Sequence, residues 1–150
     1  MKLWLSLFVL VAAACGGRVK LDPQSNVAKQ DGIVSMWAEW VKDKGDKYDI
    51  RMNIKNDSDQ ATIIMLNGLQ CYRGQIPGRL KHTFFNTGER TMDFRPGELK
   101  TFNLVCVYGS DTKGDFRIVI DRIFENPSGD GRQTGKVVAQ KIEWNQPDHQ

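Results

Sequence analysis

The alternation of apolar and polar residues along the chain predicts an all-β fold. The clearest stretch runs from Tyr48 to Lys55, where every second residue is apolar. Successive side chains of a strand point to opposite faces, so we expect one face of this strand against a core and one toward water. The strand should end at 56–59 (Asn-Asp-Ser-Asp), whose side chains favour a turn. The inward residues are Tyr48, Ile50, Met52 and Ile54, and the outward ones are Asp49, Arg51, Asn53 and Lys55.

Further short runs rich in β-branched and aromatic residues are separated by Gly, Pro, Asn and Asp, without a helical period. The segment Arg-Pro-Gly-Glu at 95–98 is a strong turn signal, and the strand after it places Cys106 on its apolar face. These features predict an immunoglobulin-like two-sheet sandwich of seven to eight strands, with a small closed β-barrel as the alternative. The other predicted strands are 33–41, 61–66, 69–72, 80–85, 99–108, 116–124 and 137–144.

The first residues of the chain have the pattern of an export signal. Lys2 is followed by an apolar run over 3–14 that ends in three alanines before Cys15. This run is too short for a membrane span, which needs about 20 helical residues, and it predicts a signal peptide over 1–14. The ending resembles the lipobox of bacterial lipoproteins, in which the cysteine after the cut carries the lipid. The alternative is an ordinary secreted protein with an unmodified Cys15.

Composition then suggests how the chain is organised after the predicted cut. Residues 15–31 mix Gly, Pro, Ser and Asn with charges and predict a flexible tether. The domain is expected over 32–145, with a C-terminal tail at 146–150. Without residues 1–14 the chain has 20 basic and 18 acidic side chains, because Lys2 is the one charged residue lost. This balance argues against a nucleic-acid-binding protein.

Cysteine content agrees with an exported protein. Beyond Cys15 the chain has one pair, Cys71 and Cys106, and such pairs close in an oxidising compartment. We therefore predict a disulfide between them. A metal pair is the alternative, but it lacks a C-x-x-C motif or a nearby His cluster.

Aromatic and basic residues suggest a binding surface. Trp37 and Trp40 are three residues apart, which in a regular strand places them on opposite faces, one in the core and one exposed. A possible binding patch lies near the predicted disulfide, where basic and aromatic residues come together if the 74–78 loop folds back. Peptidoglycan peptides or an acidic envelope protein would suit this patch. Its members are Tyr72, Arg73, Arg79 and Lys81.

No motif for catalysis or for a cofactor is present. The chain has two histidines, His82 and His149, and no G-x-S-x-G segment accompanies them, so we expect no catalytic residues and no enzyme activity. Soft metal ligands are available, but space filling in the core explains them better, and we expect no metal site and no cofactor. Those candidate ligands are Met52, Met65, His82 and Met92.

Several of these features together resemble small immunoglobulin-like bacterial lipoproteins, such as the YcfL-like family. The features are the tether, the strand ending in Asn-Asp-Ser at 56–58, the Pro-Gly-Glu turn at 96–98 and the strand with Phe-Arg-Ile at 116–118. The resemblance covers most of 32–124 and implies an envelope lipoprotein without known catalysis. In lipoproteins of this class Asp after the lipidated Cys retains the protein at the inner membrane. Gly16 therefore favours the periplasmic face of the outer membrane.

The expected function is that of a lipid-anchored binding or scaffold module whose partner is an envelope protein or peptidoglycan. The alternative is an inhibitor of a wall-active enzyme such as lysozyme, or a periplasmic metal carrier.

Overall fold

Antiparallel strands make up nearly all of the regular structure. The computed structural model describes residues 17–82, 91–109, 112–129 and 134–147. One short 3₁₀ turn, Leu66–Gly68, interrupts the strands of these ranges. The strands are β1 (Val19–Lys20), β2 (Ala28–Gln30), β3 (Val34–Asp43), β4 (Lys47–Asn56), β5 (Thr62–Met65), β6 (Leu69–Arg73), β7 (Ile76–Pro77), β8 (Arg79–His82), β9 (Thr91–Phe94), β10 (Leu99–Val107), β11 (Phe116–Ile120), β12 (Ile123–Glu125), β13 (Val137–Ala139) and β14 (Ile142–Asn145).

The largest sheet, here called the front sheet, has the order β1-β3-β4-β10-β8, with β2 also paired to β3. Its central strand β4 carries the alternation predicted from the sequence. The four apolar residues of this strand are at most 5% exposed, and three of them lie opposite core residues of β10. The prediction for the inner face of this sheet is therefore confirmed. The inward pairs are Tyr48 with Cys106, Ile50 with Leu104, and Met52 with Phe102.

The second layer consists of two four-stranded sheets, ordered β14-β11-β6-β7 and β13-β12-β5-β9. Three chain segments contribute one strand to each of these sheets: β5 with β6, β11 with β12, and β13 with β14. The strands of each segment are separated by a short break, at Leu66–Gly68, at 121–122 and at 140–141. The Asp121 N–H donates to the Gly68 carbonyl at 2.8 Å, so two of these breaks lie side by side. The back layer is thus a single curved layer that a shared bend divides into two ladders.

The core lies between the front sheet and this divided layer. A disulfide joins Cys106 of β10 to Cys71 of β6, with Cα atoms 6.3 Å apart, so it connects the two layers. Gly78 packs against this bond, and a Cβ at that position would collide with both sulfurs and the Tyr108 ring. Glycine is required here by the close approach of the backbone to the disulfide.

The all-β sandwich predicted from the sequence is confirmed, and the described residues form no closed barrel. Two details differ. The described ranges contain fourteen strands in place of seven or eight, because short edge strands add to the main ones and the bend divides the longer ones. The second sheet of the predicted sandwich is two ladders, since the bend breaks its hydrogen bonding.

The prediction of a flexible tether over 15–31 is wrong for the part that the structure describes. Strand β1 pairs with the end of β3, and β2 pairs with its beginning. Between them Asn26 is 6% exposed, so the segment is packed and not free. The composition predicted flexibility because the segment has no apolar period, whereas backbone pairing and one buried amide hold it in place.

The Asn26 side chain holds this segment in place by forming hydrogen bonds with the backbone of Ala38, as a paired strand would. Its side-chain oxygen accepts the Ala38 N–H at 2.8 Å, and its side-chain nitrogen donates to the Ala38 carbonyl at 3.2 Å. The Trp144 indole N–H donates to the Asn26 side-chain oxygen at 2.9 Å and to its carbonyl at 2.8 Å. One amide therefore joins the N-terminal segment, β3 and β14.

Three expectations concern the ends of the chain. The predicted signal peptide at 1–14 and the lipidated Cys15 lie outside the described residues. In the predicted tail 146–150, the Gln146 N–H donates to the Phe116 carbonyl at 2.9 Å, which extends the ladder of β11 and β14 by one residue. Gln146 and Pro147 are half-buried, so the domain extends to at least residue 147.

We expect replacement of either disulfide cysteine by alanine to lower the free energy of unfolding by about 2 to 4 kcal/mol, because the bond closes a long loop in the unfolded chain. Urea denaturation measures the effect. Reducing the unmutated protein should produce the same loss, and an unchanged midpoint in both cases would contradict a stabilising role.

We expect Asn26→Ala to cost about 2 to 4 kcal/mol, because it leaves the buried Ala38 backbone groups without partners. Thermal and urea unfolding measure this cost. Gln24→Ala is the matched control, since Gln24 is exposed two residues away and should change stability by less than about 0.5 kcal/mol. Equal effects of the two substitutions would show that the amide is dispensable.

Candidate binding face

A β-bulge in β3 determines which side chains reach the outer face of the front sheet. Ala38 lies opposite Met52 and Trp40 lies opposite Arg51, so Glu39 is an extra residue in the ladder. A bulge of this kind places two consecutive side chains on one side of the sheet. Ala38 and Val41 therefore stay in the core, while Glu39 and Trp40 both face outward.

The bulge corrects the expectation for the two tryptophans. Trp37 lies opposite Asn53 and Trp40 opposite Arg51, and both partners are on the outer side of β4. Neither indole enters the core, and both are half-buried on the same face. Opposite faces were expected because a regular strand alternates, and one inserted residue reverses that outcome.

A polar network stabilises this outer face around the bulge. Arg51 donates to one Glu39 oxygen at 2.7 Å, and the Asn53 amide donates to the other at 3.1 Å. The Thr101 hydroxyl of β10 donates to the Asn53 side-chain oxygen. Asn53 is consequently 3% exposed even though it lies on the solvent side of its strand. The network fixes the extra residue Glu39 and hence the orientation of Trp40.

Trp37 also lines an open groove of about 760 Å³. At one side of the groove, the Ser35 hydroxyl donates to Asp57, and Lys55 forms an ion pair with Asp57 at 2.8 Å. Burial would raise the pKa of Asp57, but the hydrogen bonds from Lys55 and Ser35 hold that pKa below its ordinary value. This carboxylate therefore stays ionised and keeps Lys55 beside the groove.

Charge on the outer face of the front sheet is strongly basic. Nine basic side chains lie on this face. It also carries three acids, Glu39, Asp49 and Asp57, and each forms an ion pair with a lysine or arginine. With nine basic and three acidic side chains, the face has an excess of six positive charges, whereas the whole chain has +3. The rest of the chain is therefore net negative. The basic residues are Arg18, Lys20, Lys29, Lys42, Lys47, Arg51, Lys55, Arg79 and Lys81.

Arg18, three residues after the predicted lipidation site, belongs to the same surface. The Arg18 guanidinium lies over the Trp40 ring, 4.4 Å from its centroid. Lys20 lies directly opposite Trp40 in the β1–β3 ladder. We call this outer face of the front sheet, with its two tryptophans, nine basic and three acidic side chains, the tryptophan face.

The patch predicted from the sequence is divided by the fold. Arg79 and Lys81 lie on the tryptophan face, opposite Val107 and Val105. Tyr72 lies in the back layer, where the Arg117 guanidinium is 4.6 Å from its ring centroid. The four residues therefore do not form one surface. Sequence spacing brought them together, but β6 and β8 belong to different layers.

Arg73 is held at the end of the sandwich. It donates to Asp43 at 3.2 Å and to the Gly45 carbonyl at 3.0 Å, and its guanidinium lies 5.2 Å from the Tyr48 ring centroid. Burial, with Asp43 nearby, raises the pKa of Tyr48 to about 12. These contacts connect the loop between β3 and β4 to the back layer, so the Arg73 side chain is engaged in stabilising the fold.

The candidate metal ligands are dispersed. Met52 and Met92 are core residues at most 2% exposed, and Met65 is half-buried at the end of β5. The backbone of His82 pairs with Leu104. Within the described ranges, no three His, Cys, Asp or Glu side chains converge on a common point where a metal ion could bind. His149 lies outside these ranges.

The described part of the chain also contains no helix with the length and apolar character that a membrane span requires.

Comparisons with known proteins give one structural likeness. No protein-family model and no curated protein matches the chain, so the resemblance to the YcfL-like family finds no support there. The fold is similar to the crystal structure of a candidate lipoprotein, YcdA, from Bacillus subtilis, with a TM-score of 0.50 and 12% sequence identity. The match covers 80% of this chain, and the chain spans 38% of the length of that protein. At this identity the likeness shows the fold alone.

We expect deletion of Glu39 to leave the fold intact, because removing the extra residue converts the bulge into a regular ladder without turning any other side chain over. Circular dichroism and urea unfolding should show a folded protein, destabilised by about 1 kcal/mol through loss of the Arg51 and Asn53 contacts. Deletion of Arg51 is the control. It shifts the register of β4, exposes core residues and should prevent folding. Failure of both deletions would contradict the role assigned to the bulge.

Proposed function

We propose that this protein is a lipid-anchored component of the bacterial cell envelope that acts as a non-enzymatic binding module through its tryptophan face. The observation that carries the proposal is the pair of outward tryptophans within a strongly basic sheet surface. Tryptophan and arginine are the residues that most often dominate binding energy, and an excess of positive charge attracts an anionic partner.

The anchor follows from the N-terminal sequence. The apolar run at 3–14 followed by Cys15 has the features of a lipoprotein signal, and the fold is similar to that of the Bacillus subtilis candidate lipoprotein. Gly16 after the cysteine supports sorting to the periplasmic side of an outer membrane. The layer-connecting disulfide also suits an oxidising compartment.

The binding role is favoured over catalysis by how the reactive side chains are used. Glu39 and Asp57 on the tryptophan face are each engaged by a cation and a hydrogen-bond donor. Cys71 and Cys106 are bonded to each other in the disulfide, so neither offers a free thiol. These groups stabilise a rigid surface, and rigid surfaces bind with little loss of conformational entropy.

We expect Cys15→Ser to abolish membrane anchoring, because the lipid is attached through that sulfur. Cell fractionation and mass spectrometry of the purified protein measure the change. The unmutated protein should appear in membranes with the mass of a diacylated or triacylated chain starting at Cys15. A water-soluble, unmodified chain would contradict the anchor.

Gly16→Asp is the matched variant for this experiment. It leaves Cys15 in place, so lipidation should persist, but the protein should shift from outer-membrane to inner-membrane fractions on a density gradient. If the unmutated protein is already in the inner membrane, the proposed sorting is wrong while the anchor remains.

A further inference from the structure

The distance between the predicted lipid and the tryptophan face is set by very few residues. Arg18 contacts the Trp40 ring, and three residue steps separate it from Cys15. A fully extended chain covers at most about 3.6 Å per residue, so these steps span about 11 Å. Because β1 is paired to β3, no longer linker is available to move the domain away. A lipid on Cys15 therefore keeps the Arg18 and Trp40 end of the tryptophan face close to the membrane surface.

The chemistry of the face suits such a surface. Indole rings are enriched where headgroups meet the hydrocarbon region, because one part of the ring is apolar and the other donates a hydrogen bond. Clusters of lysine and arginine are attracted to anionic headgroups within a Debye length. Trp37 and Trp40 supply indole rings for the headgroup region, and the excess of six positive charges attracts anionic headgroups.

The basic side chains are also available for external anions. The acids of the tryptophan face are paired with Arg51 and Lys55 of the face and with Lys44 of the adjoining turn between β3 and β4. Among the described residues, no carboxylate lies within ion-pair distance of the remaining lysines of this face. These lysines can reach a planar array of phosphates without breaking an internal pair. They are Lys20, Lys29, Lys42, Lys47 and Lys81.

We propose that the partner of the tryptophan face is the anionic lipid surface of the membrane in which the protein is anchored, so that the domain lies flat with its back layer toward the aqueous side. This inference rests on the proposed function, because it requires a lipid on Cys15. An acidic protein or wall polymer is the competing partner, and the experiment separates it from the lipid surface.

The test uses the lipidated full-length mature protein in vesicles and follows tryptophan fluorescence. The mature chain contains Trp37, Trp40 and Trp144, of which Trp144 is 1% exposed in the core. The vesicles contain a phospholipid with a spin label near the headgroup, which quenches fluorophores at short range. One set is phosphatidylethanolamine with phosphatidylglycerol, and the other is phosphatidylcholine alone.

In the anionic vesicles we expect most of the Trp37 and Trp40 emission to be quenched, and in the neutral vesicles clearly less. The Trp37→Phe/Trp40→Phe variant should lose the quenching, because the remaining Trp144 is buried. At 1 M NaCl, where the Debye length is about 3 Å, quenching should fall while the protein still floats with the vesicles through its lipid.

Charge reversal tests the basic residues directly. Lys20→Glu/Lys42→Glu removes two unpaired lysines beside Trp40 and should reduce quenching in anionic vesicles. Lys113→Glu/Lys136→Glu changes the net charge equally at exposed positions outside the face and should leave quenching unchanged. Urea unfolding of each variant confirms that the domain remains folded.

The outcomes separate the two proposals. If the protein floats with anionic vesicles but its tryptophans are not quenched, the anchor stands, the flat orientation is wrong, and the face is left to an acidic protein or polymer. If the purified protein carries no lipid, the proposed anchoring is wrong. Salt-sensitive quenching of that unlipidated protein by anionic vesicles would then still support the face as a lipid-binding surface.

Discussion

The bulge at Glu39 is the constraint on which the outer surface of the front sheet depends. One extra residue in β3 keeps Ala38 and Val41 in the core and turns both Trp37 and Trp40 outward. The bulge is held from the outside by the contacts of Glu39 with Arg51 and Asn53, and from the N-terminal side by the amide of Asn26 on the Ala38 backbone. Without these contacts the extra residue would have no fixed place in the ladder.

The same contacts connect the fold to the proposed function. Asn26 holds the segment between β1 and β2 against the sheet, and β1 in turn brings Arg18 over the Trp40 ring. A segment that composition describes as a flexible tether thus becomes an edge of the binding surface. An anchor at Cys15 would then hold this edge of the domain near the membrane as well as retain the protein, since three extended residue steps span about 11 Å.

The division of charge supports this arrangement. The tryptophan face carries an excess of positive charge, while the remainder of the chain is net negative. The overall charge of +3 conceals this asymmetry, because the two regions partly cancel. Near an anionic surface the asymmetry favours one orientation of the domain, and the effect weakens as salt screens the charges.

The sequence by itself determined the all-β class, the inward residues of β4 and β10, and the disulfide. Strict alternation, and the single cysteine pair that remains once Cys15 is assigned to the lipid, can be read from the chain alone. Only the tertiary structure decided that Trp37 and Trp40 share a face, that 17–31 is packed, and that Tyr72 and Arg73 lie in a different layer from Arg79 and Lys81. The physical reason is that each of these depends on ladder register. A single bulge or one side chain such as Asn26 changes the register through contacts between residues distant in sequence. Local periodicity does not predict those contacts.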